Sequence, residues 1–163
     1  MPVGRTEAIV SETVEAVERP DYNVRAAEIL GVVKLFRHRS PVKVHELVSS
    51  GLPSRALLKA IENVDIPPSL LRHVFGVSER TFMRLKKRPS RPLRAEQSSR
   101  VWQFAEVLAK AKDVLGGSDR AVEWMLAPAM ALEKHRPIDL LTSSVGAQLV
   151  DDVLERMRYG VYQ

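Results

Sequence analysis

A chain of 163 residues that is 45% hydrophobic and 28% charged can build one sizeable core or two small ones. Its net charge of +5 and isoelectric point near 9.7 favour an acidic partner such as nucleic acid. The absence of cysteine excludes disulfide scaffolds, thiolate metal sites and thiol nucleophiles, and fits a reducing cytosol.

The first 20 residues carry two Arg against four Glu, with Ile9, Val10, Val14 and Val17 at helix-like spacing. They lack the basic start and continuous apolar run of a signal peptide, and no stretch is apolar enough to span a bilayer, so a cytoplasmic protein with no membrane role is expected. The spacing of Ile29, Val32, Val33 and Phe36 predicts a helix over 22–37. Ser40-Pro41 reads as an N-cap followed by proline in the first turn, opening a helix that ends near Gly51. Leu57, Leu58, Ile61 and Val64 form the stripe of the next helix. Pro67-Pro68 starts a short one over 69–75, closed by Gly76, and Ser78 caps another over 79–87 that Pro89 and Pro92 end.

The strongest helical signal covers 94–115, where Val101, Phe104, Ala105, Leu108, Ala111, Val114 and Leu115 recur at steps of three and four. Its stripe is read as core, with a dimer seam as the alternative. Gly116-Gly117 stops it. A helix then runs from Ser118-Asp119 to Leu126, followed by a short turn over 138–141. The last helix is capped by Thr142, Ser143 or Ser144, and its buried face is expected to be Val145, Leu149, Val153 and Met157. No alternating strand pattern is present. The expected fold is all-α: an N-terminal helical extension (1–40), a helix-turn-helix module (41–116) and a small C-terminal helical module (117–163).

The segment 69–87 has the form of a DNA-reading helix-turn-helix: a short helix, a tight Gly76-Val77-Ser78 turn and a second helix. Val77 is expected to plug the gap between the helices, with Phe82 and Leu85 facing the core. Arg80, Thr81, Arg84 and Met83 then face outward, and arginine can read guanine bidentately. From Arg72 to Arg100 nine Lys/Arg stand against two Glu, a local charge of +7 beside the candidate recognition helix. The expected DNA-contacting set is Ser78, Arg80, Thr81, Arg84, Lys86, Lys87 and Arg88.

No catalytic, metal or cofactor constellation emerges. His38, His45, His73 and His135 do not pair at metal-ligand spacing, and Gly116-Gly117 lacks the Lys that a phosphate loop needs. Asp151-Asp152 are helical neighbours pointing in different directions. A non-enzymatic protein is expected. At the other end of the chain, Tyr159 and Tyr162 place two aromatics where a terminus would otherwise fray, and such rings want a surface to bury against.

Two stretches resemble a known family. The run Ala121–Pro128, then Arg136-Pro137-Ile138-Asp139-Leu140-Leu141, then Gly146, then Val150 to the terminal Tyr-Gly-Val-Tyr looks like the toxin-binding domain of Xre/MbcA/ParS antitoxins. Gly51-Leu52-Pro53, Val77–Phe82 and Ser98–Val107 resemble the Xre helix-turn-helix of the same proteins. Two departures stand out: Glu133-Lys134-His135 where the family is often glycine-rich, and Ser98-Ser99-Arg100 where it has Ser-Asp-Arg. The resemblance implies a type II toxin–antitoxin system whose partner is an NAD⁺-depleting RES-domain toxin, neutralised by blocking its active site. The implied toxin-binding residues are Trp124, Leu149, Val153, Arg156, Met157, Tyr159, Gly160, Val161, Tyr162 and Gln163. It further implies repression of the operon through palindromic operator DNA, and hence a homodimer and higher toxin–antitoxin complexes. The alternative is a stand-alone helix-turn-helix repressor responding to a small ligand.

Overall fold

The computed structural model describes residues 20–36 and 40–160. Among these residues there are helices and turns but no strand; one isolated antiparallel bridge joins Pro53 and Pro92. The helices are α1 (Tyr22–Leu30), α2 (Pro41–Ser50), α3 (Ser54–Glu62), α4 (Pro68–Val74), α5 (Glu79–Lys86), α6 (Ala95–Leu115), α7 (Ser118–Leu126), α8 (Pro137–Leu140) and α9 (Ser144–Arg158). Short 3₁₀ turns occupy Val33–Leu35 and Met130–Leu132.

α6 is the spine, packing against α1, α2, α3, α7 and α9. It buries Val101, Phe104, Ala105, Leu108 and Ala111 as its stripe predicts, and also Trp102, Val107 and Ala109 on its flanks. A helix covered on several sides needs apolar residues around more than one stripe. The buried residues from Ala26 through Leu154 form one continuous cluster, so α1 and α9 share a core.

The helix predicted over 22–37 is shorter in the structure. Gly31 adopts a left-handed conformation (φ 66°), its N–H and that of Val32 close back on α1, and a 3₁₀ turn follows. Val32 and Phe36 are buried, but Val33 turns outward because the 3.6-residue phase is lost at Gly31. Residues 37–39 lie outside the described set, as do the helix-like spacing within 1–19 and the histidine at 38.

The face of α9 also differs from expectation. Val153 is buried, yet Val145 is 72% exposed, Leu149 49% exposed and Met157 only half-buried. The buried residues are instead Gly146, Ala147, Val150, Val153 and Leu154. Steps of four residues drift by about 40° each on a 3.6-residue helix, so a strict i, i+4 series leaves the core within a few turns. Two small residues, Gly146 and Ala147, mark the true contact. A Cβ added at Gly146 would run into the Leu140 carbonyl, so glycine lets α9 close directly onto α8. Ser143 caps α9, its side chain accepting from the Gly146 N–H at 3.0 Å.

The loop before α8 departs from glycine chemistry. Glu133 (φ 53°) and Lys134 (φ 66°) both sit in the left-handed region, held by Lys134 N–H on the Ala129 carbonyl and His135 N–H on the Leu132 carbonyl. Each such residue costs on the order of 1 kcal/mol relative to glycine.

Candidate functional site

The helix-turn-helix is built by local chemistry. α4 ends at Phe75, Gly76 takes φ 64°, and the N–H of Val77 returns to the Arg72 carbonyl at 2.9 Å. This left-handed closure is the usual way a glycine ends a helix. Val77 is buried between the helices, and Leu85 is buried while Phe82 packs at the edge of the core. Ser78 then caps α5, accepting from the Thr81 N–H at 3.2 Å and donating to Thr81 Oγ1 at 3.0 Å. Such a cap is worth about 1 kcal/mol.

This arrangement leaves Arg80, Met83, Arg84, Lys86, Lys87 and Arg88 exposed. Thr81 is half-buried, and its hydroxyl and that of Ser78 are engaged with each other, so these two shape the helix start. The Lys86 ammonium lies 5.5 Å from the Phe82 ring centroid and the Arg72 guanidinium 5.6 Å from it, so both stems cover an edge-of-core aromatic. The exposed set offers what duplex DNA requires: arginines near the start of a helix for base edges and a cationic flank for phosphates.

The C-terminal region is organised by long-range contacts. Lys110 on α6 is nearly buried and its ammonium meets Asp151 at 2.6 Å and Glu155 at 2.7 Å on α9. Burial alone would lower its pKa, but the two carboxylates outweigh that and hold it above the ordinary lysine value. Asp151 therefore fixes α9 to the spine, a role its sequence neighbourhood does not reveal. Tyr22 on α1 donates to Asp113 at 2.9 Å and accepts from Arg158 at 2.8 Å, with Arg25 on Asp113 at 3.0 Å. Burial together with the Asp113 carboxylate pushes the Tyr22 phenol up to about 12. Burial would raise Asp113, but hydrogen bonds from Arg25 and Tyr22 hold its carboxyl below the usual aspartate range. These contacts tie α1, α6 and the last turn of α9 together.

An open groove of about 450 Å³ runs along α6 between the start of α1 and α9, lined by Tyr22, Gln103, Glu106, Lys110, Ala147 and Asp151. Burial raises the Glu106 carboxyl; the Trp102 indole N–H one turn back opposes this weakly without reaching hydrogen-bond geometry. Among the described residues no group of three His, Asp or Glu is placed to hold a metal ion. No helix among them is long and apolar enough to cross a membrane.

With α9 pinned on its inner side, Val145, Leu149, Asp152, Arg156 and Tyr159 share the opposite face at alternating steps of four and three. Leu149, Arg156 and Tyr159 from the expected toxin-binding set fall on this outward strip, and Val145 and Asp152 join it although the resemblance does not imply them. Val153, at 2% exposure, faces the core because its position lies in phase with Gly146 and Val150. Met157 and Trp124 are half-buried, packed against that core. Gly160 is exposed past the helix end, and Val161, Tyr162 and Gln163 lie outside the described residues.

Both regions match known families. Residues 43–106 match the antitoxin Xre-like helix-turn-helix domain, and residues 110–160 match the antitoxin Xre/MbcA/ParS C-terminal toxin-binding domain. The junction between the two matches falls inside α6, and α1 lies outside both. The chain is similar to Antitoxin Xre of Yersinia enterocolitica, 31% identical over 98 residues, covering 60% of this chain and 66% of that relative, just under two thirds. It is also similar to Antitoxin Xre of Pseudomonas putida, 24% identical over 158 residues, which span 96% of this chain and 94% of that protein. Helix-turn-helix, toxin-binding domain and relatives agree: the chain belongs to the Xre-type antitoxin family.

Proposed function

We propose that the chain neutralises a cognate RES-domain, NAD⁺-depleting toxin by binding it and blocking its active site with α9 and the tail Tyr159–Gln163. We further propose that it represses its own operon, binding palindromic operator DNA as a homodimer through Arg80 and Arg84, with phosphate contacts from Lys86, Lys87 and Arg88. The observation that carries the first half is the outward strip of α9, where Val145, Leu149 and Tyr159 (56% exposed) lie exposed along one face within the matched toxin-binding domain. Exposed apolar and aromatic groups around one arginine suit the centre of a protein interface. The second half is supported by the exposed arginines of α5 and the local charge of +7.

The test is co-expression with the product of the neighbouring open reading frame. Full-length chain is expected to co-purify with a RES-domain protein and to restore growth and cellular NAD⁺. A chain ending at Arg158 is expected to fail in rescue while still shifting promoter DNA. Full rescue by that shortened chain contradicts the blocking mechanism.

A further inference from the structure

A second cationic surface adjoins the turn that follows α5. The first amides of any α-helix lack intrahelical partners, and a side-chain cap usually takes one of them. α3 begins after Pro53, which offers no such cap. The turn that follows α5 supplies the acceptors instead. Ser54 N–H donates to the Arg91 carbonyl at 2.8 Å and Arg55 N–H to the Pro89 carbonyl at 2.8 Å. Ser54 Oγ adds a bond to the Arg91 carbonyl at 2.6 Å, and Leu93 N–H reaches the Leu52 carbonyl at 2.8 Å. The turn closes on itself through Arg91 N–H and the Arg88 carbonyl at 3.0 Å. Ser54 is fully buried, so water does not compete for this pin. A Cβ at Gly51 would meet the Leu93 carbonyl at 2.5 Å, which shows how closely the two segments approach.

This clasp brings Arg55 of α3 beside Arg88 and Arg91, some thirty residues further along the chain. All three side chains are exposed, and among the described residues none of them forms an ion pair. Three other arginines are paired: Arg100 with Glu96, Arg136 with Asp139 and Arg25 with Asp113. Arg88 and Arg91 stand at the two ends of one turn, which places their Cα atoms within about 7 Å. Three unpaired like charges held on a fixed backbone repel one another and are stabilised by a multivalent anion.

We infer that Arg55 and Arg91, held beside Arg88, form a second phosphate-binding surface, distinct from the α5 set, that grips the backbone of duplex DNA independently of its sequence. This rests on the DNA-binding reading above. It adds a contact from α3, an element outside the helix-turn-helix pair.

The experiment measures affinity of the full chain for a mixed-sequence duplex of about 30 bp across roughly 50 to 200 mM KCl. Replacing Arg55 and Arg91 together with Ala is expected to flatten the dependence of log K on log salt by about 0.9 for each phosphate no longer neutralised, up to about 1.8. The double Lys variant at the same positions is expected to recover most of that slope. A variant that removes equal charge elsewhere (Lys34→Ala, Arg120→Ala) is expected to keep it. The inference is overturned if the Arg55→Ala/Arg91→Ala variant, melting like the parent, retains the parental slope, or if the control loses as much. Absence of any salt-dependent binding by the parent chain would instead remove the DNA-binding reading itself. Loss of slope in Arg80→Ala/Arg84→Ala alone would uphold that reading and defeat the second surface.

Discussion

α5 and α9 both present side chains outward, but they are held in place by different means. α5 is set by chemistry within about ten residues: a left-handed glycine, a plug valine and a serine cap. α9 closes on neighbouring α8 through Gly146 against Leu140, but its outward face is set by contacts from distant parts of the chain: Lys110 against Asp151 and Glu155, and Tyr22 against Arg158. A locally specified face tolerates change in the rest of the molecule, whereas a face specified by packing moves when any of its supports is altered. Damage near α9 should therefore spread, and damage near α5 should stay local.

The largest effect is expected at Gly146. Alanine there drives a methyl group into the Leu140 carbonyl, and neither backbone can yield without separating α8 from α9. Overpacking against backbone is expected to cost about 3 kcal/mol or more, a fall in Tm of roughly 6–12 °C for a chain of this size. Thermal unfolding followed by circular dichroism reads it directly, and an unchanged Tm would mean that α8 and α9 are less tightly joined than the contact implies.

A smaller effect is expected at Ser78. Alanine removes the α5 cap and its bond to Thr81, for a loss of about 1 kcal/mol. Amide exchange should quicken in the first turn of α5 and remain slow in α6 and α9. Faster exchange throughout the chain would break the contrast between the two regions.

The smallest effect separates the two regions by pH. Tyr22 has a phenol raised to about 12 in the folded chain against an ordinary value near 10. A group raised on folding contributes its stability fully below the unfolded pKa and loses it as pH climbs through the folded one. Stability should thus fall between about pH 10 and 12, with Lys110 adding to the decline as its own raised group loses its proton. Tyr22→Phe is expected to make this alkaline decline shallower in urea titrations at successive pH values. A decline identical to that of the parent would remove Tyr22 from the network that holds α9.

The same contrast decides which features are legible in the residues alone. Ser78, Gly76 and Val77 fix the turn by rules that operate within a few residues, so the sequence announces them. The paired prolines and Gly116-Gly117 mark helix ends in the same way. Gly146 and Ala147 carry no apolar bulk, so weighting by large residues picks Val145 and Leu149 as the buried face of α9 and turns the helix the wrong way. Lys110 is hidden in the apolar stripe of α6, because nothing in its neighbourhood shows that Asp151 and Glu155 sit opposite. Arg55 is equally silent: its nearness to Arg91 follows from unsatisfied amides at the start of α3 and from acceptors that arrive through the fold. The periodicity within 22–37 fails at a single glycine, which ends α1 early and reverses the orientation of Val33.

The proposed function requires one spine to carry two separable faces, a DNA-reading one on α5 and a toxin-binding one on α9. Two variants placed in both assays test this: Arg80→Ala/Arg84→Ala, and the chain shortened to Arg158. Promoter binding is read by mobility shift, and binding of the neighbouring gene's product by calorimetry. The first variant is predicted to lose promoter binding and keep its protein partner, and the second to do the reverse. If either variant loses both activities while melting like the parent, the two faces are not separable and the proposed function fails.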